Sequence, residues 1–330
     1  MRFQVFGAAV FAVVYSAANA AECAYTAAKS ELSRVVAIDS VNGPVYGHTK
    51  TSDGPLDAAT PEAASPIVLN DKEIVLTFDQ GPHSAYTKYI LDILDHHCVK
   101  ATFFFSGKAA LENSAPVRDA ERRGNTIAAE PWSTGALDKV PFESAKVEIE
   151  KGLTAVSKAA NAPVAPFLRV TSANMPPEIL AYLHERGVSL WFYDLPAGDN
   201  EPGITASQLA NRTLARIRAK GRGVIQFHDN RKVTVDALDS ILTGAKLSGF
   251  KVVHIVPAAA FAPKDEYVMA VRRPATATVI AASSQASHHL VESATRRVRA
   301  YDDGLAVPPA AGPKKNKSEP INGCGSACAQ

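Results

Sequence analysis

The feature that most limits how this chain can fold is a regular alternation of short apolar runs and amphipathic stretches between residues 73 and 257. Ile74–Phe78, Val99–Phe105, Asn125–Ala128, Phe167–Val170, Val188–Tyr193, Gly223–His228 and Phe250–Ile255 read as strands. They are short and nearly continuous in apolar side chains, as strands buried on both faces are. Between them, Tyr86–His97, Ala115–Arg123, Pro141–Ala160, Pro177–Arg186, Thr205–Lys220 and Val233–Ser248 carry apolar residues at helical spacing. Val147, Ile149, Leu153 and Val156 mark the apolar face of the longest. Thr205 suits an N-cap, and Gly124, Gly187 and Gly249 suit helix stops. Strands that alternate with helices pair in parallel, so the fold class is α/β. Six or seven such units suit a closed barrel as well as an open sheet, and periodicity does not separate the two.

The flanks differ from this core. Arg2, an apolar run from Val5 to Ala18 and the small-x-small site Ala18-Asn19-Ala20 read as a secretory signal peptide over residues 1–20. The run is short for a membrane span, which favours cleavage over an uncleaved anchor. No other stretch is apolar enough to cross a bilayer, so the expected location is periplasmic or extracellular. Residues 21–70 are turn-rich, with Gly43-Pro44 and Gly54-Pro55, and hold one candidate strand, Val35–Asp39. Residues 71–261 form the α/β domain, and 262–330, rich in Ala, Pro and basic residues, read as a disordered tail. An exported chain meets an oxidising compartment, where Cys23–Cys98 and Cys324–Cys328 are the expected pairs among the three pairings four cysteines allow. The net charge of +2 gives no general attraction to nucleic acid or anionic membranes.

In parallel α/β architecture the chemistry gathers at the C-terminal ends of strands. Those ends carry Asp79 and Gln80, then Glu130-Pro131-Trp132-Ser133-Thr134, Arg169 and Thr171, Asp194, and His228-Asp229. The run IVLTFDQGPHSAYTKYILDIL, followed by CVKATFFFSG, resembles the opening signature of the polysaccharide deacetylases, TFDDGP then KATFF. PFLRVTSANMPPEILAYLHERGV, GRGVIQFHD and FKVVHIVP resemble that family's later segments in order and spacing. The resemblance implies a distorted (β/α) barrel of about seven parallel strands. It also implies hydrolysis of N-acetyl groups on amino-sugar oligomers or polymers. In that chemistry a divalent metal, often zinc, held by one aspartate and two histidines acidifies water. A second aspartate takes the proton, an arginine orients that aspartate, and a histidine protonates the leaving amine.

Carried over position by position, the base falls on Asp79, the orienting arginine on Arg169 and the acid on His228, with Asp194 as the partner tuning it. The three ligand positions fall on Gln80, Glu130 and Thr134, all replaced. The usual proline after the arginine is Thr171, and a tryptophan common after a late aspartate is Asn200. Glutamine and threonine are poor zinc ligands, which leaves Glu130 alone competent and no cofactor assigned. Without a metal, water keeps a pKa of about 15.7 instead of about 7, so the ordinary reaction is expected to be weak or lost. Three readings stay open: a glycan-binding pseudoenzyme, an enzyme whose Asp79, Glu130 and Gln80 rebuild a metal site, and a scaffold that acts through its tail. Asp79 with Arg169 also reads as an internal ion pair, and His228 as a core histidine. Trp132, at the expected mouth of the site, is the candidate sugar platform, with simple packing as the competing role.

Overall fold

The computed structural model describes residues 32–38, 45–46, 69–133, 136–171 and 175–271. The signal segment, Thr134, Cys23, Cys324, Cys328 and the tail beyond residue 271 lie outside that set. The seven strands read from the sequence are present as β3 (Glu73–Asp79), β4 (Thr102–Phe105), β5 (Thr126–Ala129), β6 (Phe167–Arg169), β7 (Ser189–Trp191), β9 (Gly223–His228) and β10 (Lys251–Pro257). Three further strands join them: β1 (Leu32–Ile38), β2 (Val45–Tyr46) and β8 (Leu195–Pro196). The first covers most of the candidate strand in the lead-in and pairs in parallel along β10. The helices are α1 (Tyr86–His96), α2 (Gly107–Glu112), α3 (Ser114–Arg122), α4 (Phe142–Ala160), α5 (Pro177–Glu185), α6 (Ala206–Lys220), α7 (Lys232–Leu247) and α8 (Asp265–Ala270).

Every strand pairing is parallel. The hydrogen-bonded path runs β7-β6-β5-β4-β3-β9-β8, with β2 beside β7. Only Phe192–Asp194 separate β7 from β8, so the path bends back to where it began. That topology is a distorted barrel, and it settles the choice that periodicity left open. The strands bury two faces, as their near-continuous apolar runs require. Leu76, Phe78, Phe103, Phe105, Ile225 and Phe227 pack outward with Ile90, Leu94, Leu153 and Leu238 of the helices. Val75, Phe104, Ala128, Phe167, Trp191 and Val224 form a second, inner cluster.

Local signals explain the helix ends. Thr205 caps α6 in a reciprocal capping box with Gln208, and Gly221 ends it in the left-handed region at φ 81°. Between β4 and β5 the expected helix is present as α3, and a further short helix, α2, precedes it across a break at Asn113. Ordered packing also continues past the boundary expected at residue 261. Phe261 and Val271 are buried, and α8 lies between them. The buried Glu150 of α4 anchors this segment, since it accepts from Tyr182 and Arg186, and Arg186 also donates to the Ala262 carbonyl at 3.0 Å. Cys98 is disulfide-bonded, and the other three cysteines lie outside the described residues.

Gly152 shows how tightly α4 is set against the strand ends. A Cβ there would fall 2.4 Å from the Glu130 carbonyl oxygen and 2.9 Å from Pro131, and a Cβ on Gly107 would fall 2.7 Å from the Gly152 Cα. Gly152→Ala therefore forces the helix off the turn after β5. The expected result is a loss of about 1–3 kcal/mol, read as a lower urea midpoint, despite the better helix propensity of alanine.

Candidate functional site

Period-two alternation along the strands aims one set of side chains inward. In β3 these are Val75, Thr77 and Asp79, and in β9 they are Val224, Gln226 and His228. Parallel register places Asp79 beside His228 and Thr77 beside Gln226. Arg169 follows Phe167 inward on β6, and Glu130 follows Ala128 just past the end of β5. Polar side chains thus sit above the inner apolar cluster, at the C-terminal end of the barrel.

Arg169 and Asp79 form the centre. Arg169 Nη1 donates to Asp79 Oδ1 at 2.7 Å and to Thr77 Oγ1 at 2.6 Å, and Nη2 donates to the Phe192 carbonyl at 3.0 Å. Its guanidinium carbon stacks 4.0 Å from the centre of the Phe104 ring. The second oxygen of Asp79 accepts from Gln226 Nε2. Both members of the ion pair are about 2% exposed. Gln226 escaped the sequence reading, although a glutamine at the inward period of an apolar strand was a usable signal. Tyr193 also borders the pair, and its phenol titrates above the ordinary range because of burial, with the Asp79 charge adding to it.

His228 is held by Asp199, which corrects the expected partner, Asp194. Asp199 Oδ1 lies 2.7 Å from His228 Nδ1. Its Oδ2 accepts from the His228 backbone N–H at 2.7 Å and from Thr234 Oγ1 at 2.6 Å. Burial pulls the imidazolium pKa down, but the Asp199 hydrogen bond and charge outweigh it and leave the pKa raised. Burial likewise opposes ionisation of Asp199, and the His228 contacts outweigh it and leave that carboxyl below its ordinary value. Asp194 instead caps the start of β9, where its Oδ2 accepts from Val224 N at 2.9 Å, with Lys220 at 3.7 Å. That is the opposite end of the strand from His228. The sequence placed an aspartate after β7 but gave no sign of β8, which carries the chain onward to Asp199.

Two more carboxyls complete the polar layer. Glu130 is 4% exposed; Oε2 has no hydrogen-bond partner, while the Gln80 backbone N–H bonds the carboxyl. Burial pushes its pKa well up, and the Asp79 charge pushes it further against the opposing pull of Arg169. Asp229 is wholly buried and accepts from Thr87 Oγ1 at 2.7 Å through Oδ2, while Oδ1 has no partner. Its carboxyl packs where a Cβ on Gly81 would stand, at 2.0 Å. Burial raises its pKa to about 7, with the Asp79 charge adding and the Thr87 bond opposing. In this window the folded state holds a proton that the unfolded chain has released, so stability falls as pH rises from about 4 to about 7 and levels off above. Asp229→Asn is expected to flatten that fall, measured as urea midpoints at about pH 5 and about pH 8.

The residues at the ligand positions do not fit a zinc centre. Gln80 offers a neutral amide, Glu130 a carboxyl whose surroundings disfavour the anion, and the oxygens of Asp79 are taken by Arg169 and Gln226. Among the described residues no three His, Cys, Asp or Glu side chains come together as a metal-holding group. Thr134 lies outside those residues. Trp132 is half-buried, and its ring lies under the Lys151 ammonium of α4 at 4.5 Å. Its backbone N–H donates to Glu148 O at 3.0 Å and its carbonyl accepts from Lys108 N at 3.1 Å, so it bonds α4 and α2 rather than Asp79, Arg169 or His228.

Residues 68–192 match the family model described as polysaccharide deacetylase. Over 206 residues the chain is 29% identical to the peptidoglycan-N-acetylglucosamine deacetylase PgdA of Listeria monocytogenes, which takes in 61% of this chain. The chain spans 41% of that relative's length. The solved peptidoglycan deacetylase Bd3279 of Bdellovibrio bacteriovorus superposes with a TM-score of 0.59 at 24% identity, covering 73% of this chain and 63% of the other. A mutant of a CE4 family pseudoenzyme from Bacillus anthracis gives 0.51 at 21% identity, covering 57% and 66%. At these identities the two structures speak to the fold alone.

Proposed function

The chain belongs to the polysaccharide deacetylase family, and on that premise we propose that it is an exported protein that binds an acetylated amino-sugar polymer without turning it over by metal-assisted hydrolysis. One observation carries this reading. The Asp79–Arg169 and His228–Asp199 pairs are both assembled, yet Gln80 and Glu130 stand where a metal would need imidazole or an ionised carboxylate. Deacetylases of this family act on acetylated amino-sugar polymers such as peptidoglycan, which gives the ligand class. Among the described residues no helix is long and apolar enough to cross a membrane.

In such a site Arg169 and Gln226 fix the orientation of Asp79, and the lone pairs left beyond those two bonds accept from the ligand. His228, kept cationic more readily by Asp199, is a donor toward a sugar oxygen or nitrogen. Neither group can acidify water, whose pKa stays at about 15.7 without a metal. The expected result is binding of N-acetylglucosamine oligomers or peptidoglycan fragments by calorimetry, with no stoichiometric zinc by elemental analysis and titration. Stoichiometric zinc together with chelator-sensitive acetate release would replace this reading with an active enzyme on a rebuilt site. Mass analysis of the secreted protein is expected to give Ala21 as its first residue.

A further inference from the structure

Val147 departs from the face expected of α4. Ile149, Leu153 and Val156 enter the core, but Val147 is 41% exposed, and Val140, just before the helix, is 40% exposed. The two valines line one open groove of about 420 Å³, between α4 and the segment that follows β5. Leu137 lies in the same wall, and Ser133, Glu143 and Glu148 supply polar groups. Aliphatic side chains left in water around one concavity point to an occupant with an apolar body. The two carboxylates differ. Glu143 is paired with Lys146 at 3.1 Å. Glu148 Oε2 accepts from the Ser133 backbone N–H and from its Oγ, both at 2.8 Å. Among the described residues no lysine or arginine forms an ion pair with Glu148, and Oε1 takes no bond. Lys151, one turn further along α4, lies over the Trp132 ring and does not line the groove.

We propose that this groove receives an aliphatic amine, the side chain of a lysine or similar diamino acid in a peptide attached to the bound amino-sugar polymer. The proposal deepens the reading above and rests on it, since it names the polymer as one that carries peptides. The methylene groups lie on Val140, Val147 and Leu137, and the ammonium donates to Glu148 Oε1. That arrangement covers the exposed aliphatic surface and gives the Glu148 charge its counterpart. A bare sugar ring fits less well, because it brings hydroxyls to an aliphatic wall and no cation to Glu148. The chain itself joins the groove to the polar layer of the barrel. Glu130, just past the end of β5, and Ser133 are three residues apart, so at most about 11 Å of backbone separates them. A sugar at the barrel mouth and a peptide substituent beside it cover that span. The Ser133 bonds to Glu148, and the Trp132 N–H donated to the Glu148 carbonyl at 3.0 Å, fix this wall to α4 before any ligand arrives.

The test titrates the purified protein calorimetrically with three forms of one peptidoglycan fragment: with its lysine-containing peptide, with the lysine amine acetylated, and with the peptide cleaved away. The first is expected to bind about tenfold more tightly than the other two. Glu148→Gln keeps an oxygen for Ser133 and removes the charge, while Val147→Arg fills the groove with a repelling cation. Each substitution is expected to cut the preference to about twofold or less. Methyl NMR spectra of the wild type should show the Val140 and Val147 signals shifting with the first form and unmoved by the third. Equal affinity for the three forms, or a preference that survives both substitutions, overturns the proposal and leaves the glycan-binding reading in place. So does free peptide that binds as tightly as the intact fragment, because the groove would then act apart from the sugar site. A protein that binds none of the forms removes both readings. Urea midpoints of the two variants equal to that of wild type confirm that folding is not the cause.

Discussion

Gln80→Asp, Glu130→His and Thr134→His, combined in one variant, are expected to yield a zinc-dependent deacetylase whose activity exceeds that of the parent protein. The reason is that the rest of the apparatus is assembled. Asp79 is oriented by Arg169 and steadied by Gln226, while His228 is held by Asp199, which favours its protonated form. On the reading proposed above the Lewis acid is the part to be added, and its effect is large, because zinc brings the pKa of its water from about 15.7 to about 7. Acid–base groups of the kind already present contribute roughly 10²–10⁴-fold once a nucleophile exists. Acetate release should therefore rise by at least about 10³-fold over the parent and be abolished by a chelator. Each single substitution should leave the protein inactive, since a catalytic zinc needs about three protein ligands. Tight zinc without acetate release would mean that the pocket has lost more than its ligands.

The second large effect concerns stability. Arg169→Met is expected to cost about 3–5 kcal/mol, because it strands the Asp79 carboxylate in the barrel interior. Both side chains are almost wholly enclosed, at 2% and 3% exposure, so solvent offers little compensation. The loss also removes the donors to Thr77 and the Phe192 carbonyl and the stacking on Phe104. Adding Asp79→Asn should recover part of the loss, since the amide carries no charge to strand. Urea denaturation of the single and double variants measures both steps. A single variant within about 1 kcal/mol of wild type would show that Asp79 is neutral or solvated, and it would undercut the role assigned to it in binding.

Much of this protein was legible in the sequence because strand and helix periodicity are local. The seven main strands, the Thr205 cap and the α/β class follow from side-chain spacing. The inward set Asp79, Arg169 and His228 follows from strand ends, and the replaced ligand positions follow from the motif itself. The two-residue strand β8 was not legible, because two residues carry no period. With β8 missed, Asp194 was read as the partner of His228 in place of Asp199. Trp132 was placed at the site by its position in the loop, but its ring is drawn to Lys151, a neighbour that chain order does not reveal. The order that continues to Val271 was hidden by a composition typical of loose tails, and the buried Glu150 clamp that secures it joins three distant segments.

The amino-acid sequence by itself determined the alternation of elements, the polar residues that close each strand and the residue types Gln80, Glu130 and Thr134 at the positions the motif marks, since each is a property of residue type at a local spacing. Tertiary structure alone decided which aspartate serves His228, that Gln226 braces Asp79, and that Glu130 stands buried with an oxygen to spare. Those outcomes depend on which strand lies beside which and on how much water each carboxyl keeps. Both are set by barrel closure, which brings together residues as far apart in the chain as Asp79 and His228.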